Sequence, residues 1–254
     1  MTFSAKHLGQ AGLRLQRGQV VIYVDPYLTD RVADVFGREM QRMHAPPLTP
    51  EQANDACWVL ITHAHADHCD PATLVPMARA STQCRFLGPA EVRGLLTDWG
   101  IESSRICVAG EHWVELGPDV RVHPVPAAHS KLERWPDGSS RFVGYVIEID
   151  GKRVYHAGDT MPHEEVFAVL DRLSPINVAL LPVNERNYFR DRAGIVGNMS
   201  IREAFQMASR IGVEAVVPIH WDLFGPNSVY WEEIELLYRL MAPTFQLASS
   251  LGDT

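Results

Sequence analysis

The sequence lacks the features that place a chain in a membrane, in an oxidising compartment or on nucleic acid. Its apolar runs, such as "NVALLPV", are far shorter than the roughly 20 residues that span a bilayer. No basic stretch followed by an apolar run opens it, so we expect no secretory signal and a cytoplasmic location. The four cysteines show no CxxC spacing, which disfavours a disulfide framework. The net charge of −8 disfavours a nucleic-acid partner, because phosphate binding needs a concentrated positive field.

The chain contains instead many short apolar runs that are rich in β-branched residues. Each run is bounded by Gly, Pro or Asp, which is typical of strands. The runs are "QVVIYVDPYL", "ACWVLITH", "RFLGP", "RICVAG", "VRVHPVPAAH", "FVGYVIEI", "KRVYHAGDT", "NVALLPVN" and "AVVPIH". Asp150-Gly151 between two of them predicts a two-residue hairpin. A length of 254 residues suits a single domain, 1–254.

Amphipathic or capped stretches predict helices at 71–80, 201–211 and 230–241. Asp70 is an N-cap for the first helix, and Pro76 is expected to kink it or end it early. Ser200 and Glu203 form a capping box before the second. Strands dominate and helices follow only some of them, so we expect mixed sheets flanked by helices. The polar segment 36–54, with three prolines, predicts a surface loop that shapes a pocket.

The stretch "THAHADH" (62–68) places three histidines and an aspartate directly after the buried strand "WVLI". Residues i and i+2 leaving a strand can point at one ion, while the turn brings i+4 and i+5 near a second. Neutral imidazole suits zinc, manganese or iron, and the carboxylate brings harder metals into range. His63, His65, Asp67 and His68 are therefore predicted metal ligands.

Three more polar residues follow apolar strands in the same way. They are His129, Asp159 and His220. Because functional residues gather on loops held by a rigid scaffold, we expect these side chains to converge on the histidine-rich stretch. Asp25, also at a strand end, is expected to be structural or to accept an N–H from a ligating imidazole.

Together, "THxHxDH", a lone histidine, "GDT" and a late histidine resemble the motifs of the metallo-β-lactamase superfamily. The resemblance implies a mixed α/β (α+β) fold, a four-layer αββα sandwich of two mixed sheets with the site at one edge between them. It also implies ligands for two ions: His63, His65 and His129 for one, Asp67, His68 and His220 for the other, with Asp159 bridging both. A di-iron redox branch has Glu in place of His65, so we expect hydrolytic chemistry.

Longer segments are similar to the L-ascorbate-6-phosphate lactonase family, from residue 20 to about 225. They are "DPYLTD", "LITHAHADHCDPATL", "GYVIE", "YHAGDT", "LPVNERNYFRDRAGIVGNMSIREA" and "PIHWDLF". The family's N-x-R-x-Y-[FY]-R pattern makes Asn184, Arg186 and Arg190 candidate substrate-binding residues, since an arginine pair suits bidentate binding of phosphate or carboxylate. Tyr188 is a candidate catalytic donor to the oxyanion or leaving group.

These residues predict a metal-dependent hydrolase that opens a lactone or ester of a small anionic substrate, such as a sugar phosphate. One or two divalent ions, zinc or manganese with iron also compatible, would lower the pKa of a bound water and make hydroxide at neutral pH. The hydroxide would attack the carbonyl while the metal stabilises the oxyanion. Asp67 is expected to hold the nucleophile and to carry a proton to the leaving alkoxide.

Two other functions fit the same residues. A phosphodiesterase acting on small phosphodiesters, or a nuclease of the same superfamily, would clamp a phosphate in place of a carbonyl. A non-catalytic metal-binding protein is a second alternative, which the full set of seven ligands disfavours. The sequence leaves open the exact substrate, the metal, the number of filled sites, and whether the C-terminal helix packs on the core or in a homo-oligomer. The roles of His44, His112, His156 and His163 also stay open.

Overall fold

In the computed structural model, which describes residues 3–253, fifteen short strands and seven α-helices are present. The strands are β1 (Ser4–Gly9), β2 (Gly12–Arg17), β3 (Val20–Val24), β4 (Trp58–Leu60), β5 (Arg85–Gly88), β6 (Ile106–Val108), β7 (Val114–Gly117), β8 (Val120–Pro126), β9 (Ala128–His129), β10 (Lys131–Leu132), β11 (Val143–Ile149), β12 (Lys152–His156), β13 (Val178–Pro182), β14 (Ala215–Ile219) and β15 (Gln246–Leu247). The helices are α1 (Arg31–Phe36), α2 (Pro71–Ala80), α3 (Ala90–Asp98), α4 (Glu164–Arg172), α5 (Tyr188–Arg192), α6 (Ile201–Ile211) and α7 (Trp231–Met241).

The strands form two large mixed sheets. The first has the order β1-β2-β3-β4-β5-β6, antiparallel up to β3 and parallel from there on. The second has the order β15-β14-β13-β12-β11-β8-β7, parallel from β15 to β12 and antiparallel beyond. The strands β9 and β10 pair separately as a small ribbon. The prediction of mixed sheets is confirmed.

Alternating side chains on each sheet build four layers. Ile22 of the first sheet and Ile147 of the second are fully buried in the apolar core between the sheets. Their neighbours Tyr23 and Val146 belong to outer clusters, with α2 and α3 on the first sheet and α4, α6 and α7 on the second. Because successive residues of a strand point to opposite faces, each sheet has an inner and an outer apolar surface. The result is the predicted αββα sandwich.

The local signals for turns and caps are largely confirmed. Asp150 (φ 51°) and Gly151 (φ 73°) form the turn between β11 and β12. Asp70 caps α2 by accepting the N–H of Ala72 at 2.9 Å, and the capping box at the start of α6 is present.

The prediction that Pro76 ends its helix early is wrong, because α2 continues to Ala80. Proline removes one helical N–H, and the following turn is still held by the Ser81 N–H, which donates to the Met77 carbonyl at 2.8 Å. Leu74 and Met77 are fully buried against the first sheet, and this packing favours the continued helix.

Three other features concern the loop 36–54, the cysteines and the lengths of the helices. The segment 36–54 is a surface loop with two short 3-10 turns, Arg38–Met40 and Pro50–Gln52. The four cysteines are free thiols. Among the described residues, no helix is long and apolar enough to cross a bilayer.

Candidate metal centre

All seven predicted ligands meet at one edge of the sandwich, between the two sheets. Four of them follow β4, and the others come from β9 and from the loops after β12 and β14. Their donor atoms form two groups, and within each group these atoms lie within 4.8 Å of one another. The first group is His63, His65, His129 and Asp159, and the second is Asp67, His68 and His220. This His/Asp cluster is able to bind metal.

The second group has the spacing of a metal coordination shell. His220 Nε2 lies 3.3 Å from both His68 Nε2 and Asp67 Oδ2, and these last two atoms are 3.6 Å apart. Asp159 Oδ1 lies 3.4 Å from His68 Nε2 and 3.2 Å from His220 Nε2. Ligand atoms placed about 2.0–2.1 Å from a tetrahedral zinc ion are about 3.4 Å apart. The donor set therefore fits a small divalent ion.

The Asp159 carboxylate lies between the two groups. Its Oδ1 faces the second group, while its Oδ2 lies 3.8 Å from His129 Nε2 in the first. Within the described part of the chain, His63 Nε2 and both ring nitrogens of His129 are buried without a hydrogen-bond partner. Since an unpaired buried polar atom costs free energy, these atoms fit the role of metal ligands. These positions fit the arrangement that the resemblance implies, in which Asp159 would lie between two ions, and the number of bound ions stays a prediction.

The histidines of the cluster differ in the direction of their pKa shifts: the pKa is lowered for two of them and raised for two others. Burial lowers the pKa of His63 and of His129, so both imidazoles are neutral at pH 7 and can donate a lone pair to a metal. Burial also opposes protonation of His68, yet the nearby carboxylates of Asp67 and Asp159 raise its pKa well above the ordinary value. The pKa of His220 is raised as well, since Asp159 and Asp67 outweigh the effect of burial.

The two carboxylates of the cluster are held ionised. Burial would raise the pKa of Asp159, but the imidazoles of His220 and His68 lower it well below its usual range. The pKa of Asp67 is lowered in the same way, against burial, by His68 and His220. Without metal, the second group is therefore a set of buried ion pairs, and a metal that binds there must displace protons from imidazole.

Asp25 is not a predicted ligand itself, but it hydrogen-bonds to one of them, His68. It is fully buried at the end of β3, and its carboxylate accepts the Nδ1–H of His68 at 2.8 Å. It also accepts the backbone N–H of Thr62 at 2.8 Å and the Thr62 hydroxyl at 2.7 Å. A carboxylate bonded to Nδ1 directs Nε2 of the same ring toward the metal. The expectation for Asp25 is confirmed.

Gly158 allows the Asp159 loop to approach this support. Its φ of 60° lies in the left-handed region, and a Cβ there would lie 2.8 Å from the Thr62 side chain. Both the conformation and the close contact require glycine.

A cavity of about 520 Å³ opens onto the cluster. His65, Asp67, Asp159 and His220 form its floor, and two of these ligands, His65 and Asp67, are partly accessible. Its walls come from α1 and the 3-10 turn after it, from the loop after α5, and from the loop after β14. The wall residues are Val32, Phe36, Glu39, Met40, Ala66, Ala193, Gly194, Ile195, Val196, Phe224, Pro226 and Asn227. The predicted surface loop therefore does contribute to a pocket.

Comparison with known proteins identifies the family. The family model described as Beta-lactamase superfamily domain matches residues 22–221. The chain belongs to the metallo-β-lactamase superfamily. A UPF0173 metal-dependent hydrolase of Rubrobacter xylanophilus is 32% identical to it over 227 residues, 86% of this chain and 81% of that protein. A second one, from Pyrococcus abyssi, is 27% identical over 236 residues, 91% of this chain and 90% of that protein.

Solved structures share the fold of this superfamily member. A metallo hydrolase from Ignicoccus hospitalis aligns with a TM-score of 0.72 and 24% identity, covering 97% of this chain and 94% of that one. A possible metal-dependent hydrolase from Veillonella parvula aligns with a TM-score of 0.75 and 18% identity, covering 98% and 96%. The ligand cluster and the two relatives above make the protein a metal-dependent hydrolase. The closer likeness to L-ascorbate-6-phosphate lactonases stays a prediction.

In this metallo-β-lactamase superfamily chain, the predicted substrate-binding residues are not among those that line the cavity, although Asn184 and Arg190 hydrogen-bond to residues of its wall. Asn184 is fully buried, donates to Asn227 Oδ1 at 3.1 Å and accepts from Asn198 Nδ2 at 3.0 Å. Arg190 donates to backbone carbonyls of Glu185 at 2.6 Å, Pro226 at 3.2 Å, Ser228 at 2.7 Å and also Asn184. These contacts fix the loop after β13, and a role of the two side chains in substrate binding stays a prediction.

Arg186 and Tyr188 also face other surroundings. The Arg186 guanidinium contacts Met161 Sδ and lies 3.9 Å from the Glu203 carboxylate. Tyr188 is 69% exposed on α5 and packs edge-on against Phe189 at 5.5 Å between ring centroids. Neither belongs to the residues that line the cavity. Their roles in substrate binding and proton donation stay predictions.

Four other histidines and one aspartate lie outside the set of predicted ligands. His156 is fully buried; its Nε2–H donates to the Ala11 carbonyl at 2.7 Å, and its Nδ1 accepts the N–H of Gly158, directly before Asp159, at 3.3 Å. His163 caps α4 by accepting the Glu165 N–H at 3.1 Å. His44 and His112 are exposed. Asp222 accepts the backbone N–H of Gln10 at 3.3 Å.

Sequence reasoning missed one residue of the site. Gln10, in the turn between β1 and β2, is 2% exposed and places its amide nitrogen 2.8 Å from Asp67 Oδ2. Its position between Gly9 and Gly12 is the one local sign of a turn. Nothing in the sequence shows that this turn lies beside ligands 57 residues and more away.

Proposed function

We propose that the protein hydrolyses the ester or lactone bond of a small, uncharged substrate with an apolar part. The observation that carries this proposal is the apolar cavity that ends at the metal cluster. Its volume of about 520 Å³ is within the range of roughly 300–1,000 Å³ that is typical of small-molecule sites.

The charges of the cavity support an uncharged substrate. In the part of the chain that the structure describes, none of the residues lining it is Lys or Arg, and Glu39 adds a carboxylate to the wall. Binding of a phosphate or carboxylate tail needs a partner such as a guanidinium fork. Since Arg186 and Arg190 are engaged elsewhere, the proposal replaces the anionic sugar phosphate with a neutral molecule.

The chain's own residues orient the reaction. A divalent ion held by this cluster supplies Lewis-acid chemistry, activating water and polarising a carbonyl oxygen. Asp67 is ionised and lines the cavity floor, so its carboxylate accepts a hydrogen bond from the attacking water and holds it beside the substrate. Phe36, Ile195 and Phe224 exclude bulk water and pack against the apolar part of the substrate.

The proposal is tested with a substrate panel on protein loaded with zinc or manganese. The panel contains aliphatic γ-lactones and p-nitrophenyl esters of increasing chain length, a phosphorylated lactone, and bis-p-nitrophenyl phosphate. We expect the highest kcat/KM on the neutral lactones or esters. A higher kcat/KM on the phosphorylated lactone would restore the anionic substrate, and one on the phosphodiester would show a phosphodiesterase.

His65→Ala tests the link between the cluster and turnover. Removing this ligand is expected to lower kcat/KM by at least the roughly 10–100-fold that loss of a ligand's supporting partner costs, and to lower the bound metal measured by elemental analysis. His112→Ala, which removes an exposed histidine outside the cluster, is the matched control. If His65→Ala keeps both its metal and its turnover, the proposed chemistry is wrong.

A further inference from the structure

We propose that Gln10 is a positioning residue that raises the affinity of the Asp67–His68–His220 group for a divalent ion. The proposal rests on the metal centre and does not depend on which substrate the enzyme hydrolyses. Gln10 lies in the β1–β2 turn, which supplies none of the seven predicted ligands. Its side chain nevertheless reaches the cluster.

The Gln10 side chain contacts two members of this group. Its Nε2 lies 2.8 Å from Asp67 Oδ2 and 3.0 Å from His220 Nε2. An ionised carboxylate only accepts hydrogen bonds, so the amide donates an N–H to Asp67. Asp67 is the partly exposed member of the group, with 18% of its side chain accessible. Among the described residues, this amide is the one non-ligand side chain with a hydrogen bond to that carboxylate.

The backbone holds this amide in place. The Gln10 carbonyl accepts the His220 N–H at 2.9 Å, and the Gln10 N–H donates to Asp222 at 3.3 Å. The neighbouring Ala11 carbonyl accepts from His156 at 2.7 Å. The turn is therefore held in two places, by His156 at the end of β12 and by His220 in the loop after β14.

Both partners in the backbone contact have unfavourable dihedral angles. Gln10 has φ 57° and His220 has φ 62°, which lie in the left-handed region that disfavours residues other than glycine. Such angles persist where the surrounding structure enforces them, and they concentrate at functional sites. A turn with no role at the centre would more readily carry glycine at this position.

Gln10 is expected to raise the metal affinity because it orients the Asp67 carboxylate before the ion binds. A carboxylate that is already bonded and oriented loses less freedom when it binds an ion, and loss of such outer partners lowers metal affinity about 10–100-fold. Gln10 contributes by holding Asp67, not by touching the substrate.

The test measures Zn²⁺ binding to metal-stripped protein by calorimetry, so it needs no substrate. We expect the wild type to bind two ions, and Gln10→Ala and Gln10→Met to bind one of them 10–100-fold more weakly. Methionine fills the space of glutamine without a donor, so it separates the hydrogen bond from packing. Gln16→Ala, in β2 of the same hairpin and away from the cluster, is the matched control and should behave like the wild type.

Three results would overturn the proposal. One is unchanged affinity for both ions in both Gln10 variants. Another is a loss in the alanine variant that methionine fully restores, since packing alone would then explain it. The third is a wild type that binds a single ion at saturating zinc, because Gln10 would then have no second site to serve. Hydrolysis by a one-ion enzyme would leave the proposed function standing in that case.

Discussion

At the scale of single residues, Asp25 shows how the fold prepares a ligand. Its buried carboxylate accepts three hydrogen bonds, two from Thr62 and one from His68. The bond to His68 fixes which ring nitrogen carries the proton, so the other nitrogen faces the metal group. One carboxylate thus orders both the start of the histidine-rich loop and its last ligand.

Asp25→Asn is expected to lower the affinity for divalent metal about 10–100-fold. The amide keeps the shape of the side chain but lacks the charge that favours a donating imidazole. Calorimetric titration of metal-stripped protein with Zn²⁺ measures the change. Asp98→Asn, at the exposed end of α3, is the control; equal affinities in the two variants would contradict the role of Asp25.

The sequence predicted the ligands better than it predicted their supporting residues. His63, His65, Asp67 and His68 are recognisable because four donors lie in six positions after a strand. Gln10 could not be predicted, since its contact to His220 joins residues 210 positions apart. For Arg190 the sequence shows only a guanidinium, because one that binds backbone carbonyls, as in this structure, and one that binds a substrate anion look the same in a sequence.

At the scale of elements, two short segments define the cavity mouth. α1 contributes Val32 and Phe36, and the loop after α5 contributes Ile195 and Val196. Phe36 is 62% exposed and Val196 is 48% exposed. α1 is held at its base by the Tyr27 hydroxyl, which accepts the Val32 N–H at 2.9 Å, and the loop after α5 is held by the Ile195 N–H, which donates to the Arg190 carbonyl at 2.9 Å.

Phe36→Ala is expected to raise KM for long-chain esters by about 10-fold or less, with kcat little changed. The aromatic ring supplies apolar contact worth up to a few kcal/mol when fully buried, and it is only partly covered here. Steady-state kinetics on a chain-length series measures the effect. Val35→Ala removes a similarly exposed residue of the same helix that does not line the cavity, and it should leave KM unchanged.

Elements with strong local signals were predicted, and elements made by long-range pairing were not. α6 has both a capping box and a C-terminal glycine in the left-handed conformation, so its bounds were recognisable. The β1–β2 hairpin was missed, although Leu13 and Leu15 alternate with polar residues. Its position at the edge of the first sheet depends on pairing with β3, which the local sequence does not specify.

At the scale of the whole molecule, the centre joins the two sheets. The histidine-rich loop leaves the first sheet, while Asp159 and His220 leave the second. The apolar runs predicted mixed sheets flanked by helices, while the αββα sandwich with its site at one edge was implied by the resemblance to the metallo-β-lactamase superfamily. The substrate was not predictable, since the cavity walls come from four separate segments.

Removal of metal is expected to lower the melting temperature by roughly 5–11 °C. An ion present at 100 times its Kd stabilises the fold by about 2.7 kcal/mol, and each kcal/mol is worth roughly 2–4 °C in a domain of this size. Scanning calorimetry before and after chelation, and after zinc is added back, measures the shift. A melting temperature that does not respond to chelation or zinc would contradict a structural coupling between the sheets and the metal.

The decrease in melting temperature on removal of metal should be larger at pH 8 than at pH 6. In the metal-free protein, the raised pKa of His68 means that its ion pairs stabilise the fold fully below its unfolded pKa of 6.5, and that this stabilisation is lost as the pH rises through the folded pKa. Metal binding has the opposite dependence, since it displaces those protons. A shift that is equal at both pH values would show that His68 carries no proton in the metal-free state.

The contact between Gln10 and His220 also has a consequence for how the protein is made. At a synthesis rate of about 5–20 residues per second, the β1–β2 turn exists roughly 10–40 s before its partner, which lies 210 positions later, is translated. A nascent chain that has reached Asp159 already contains the four donors of the first group, whereas the second group is complete only after His220. Uptake of an ion by the second group would therefore require that the nascent polypeptide has brought its histidine-rich loop and the loop after its late strand together.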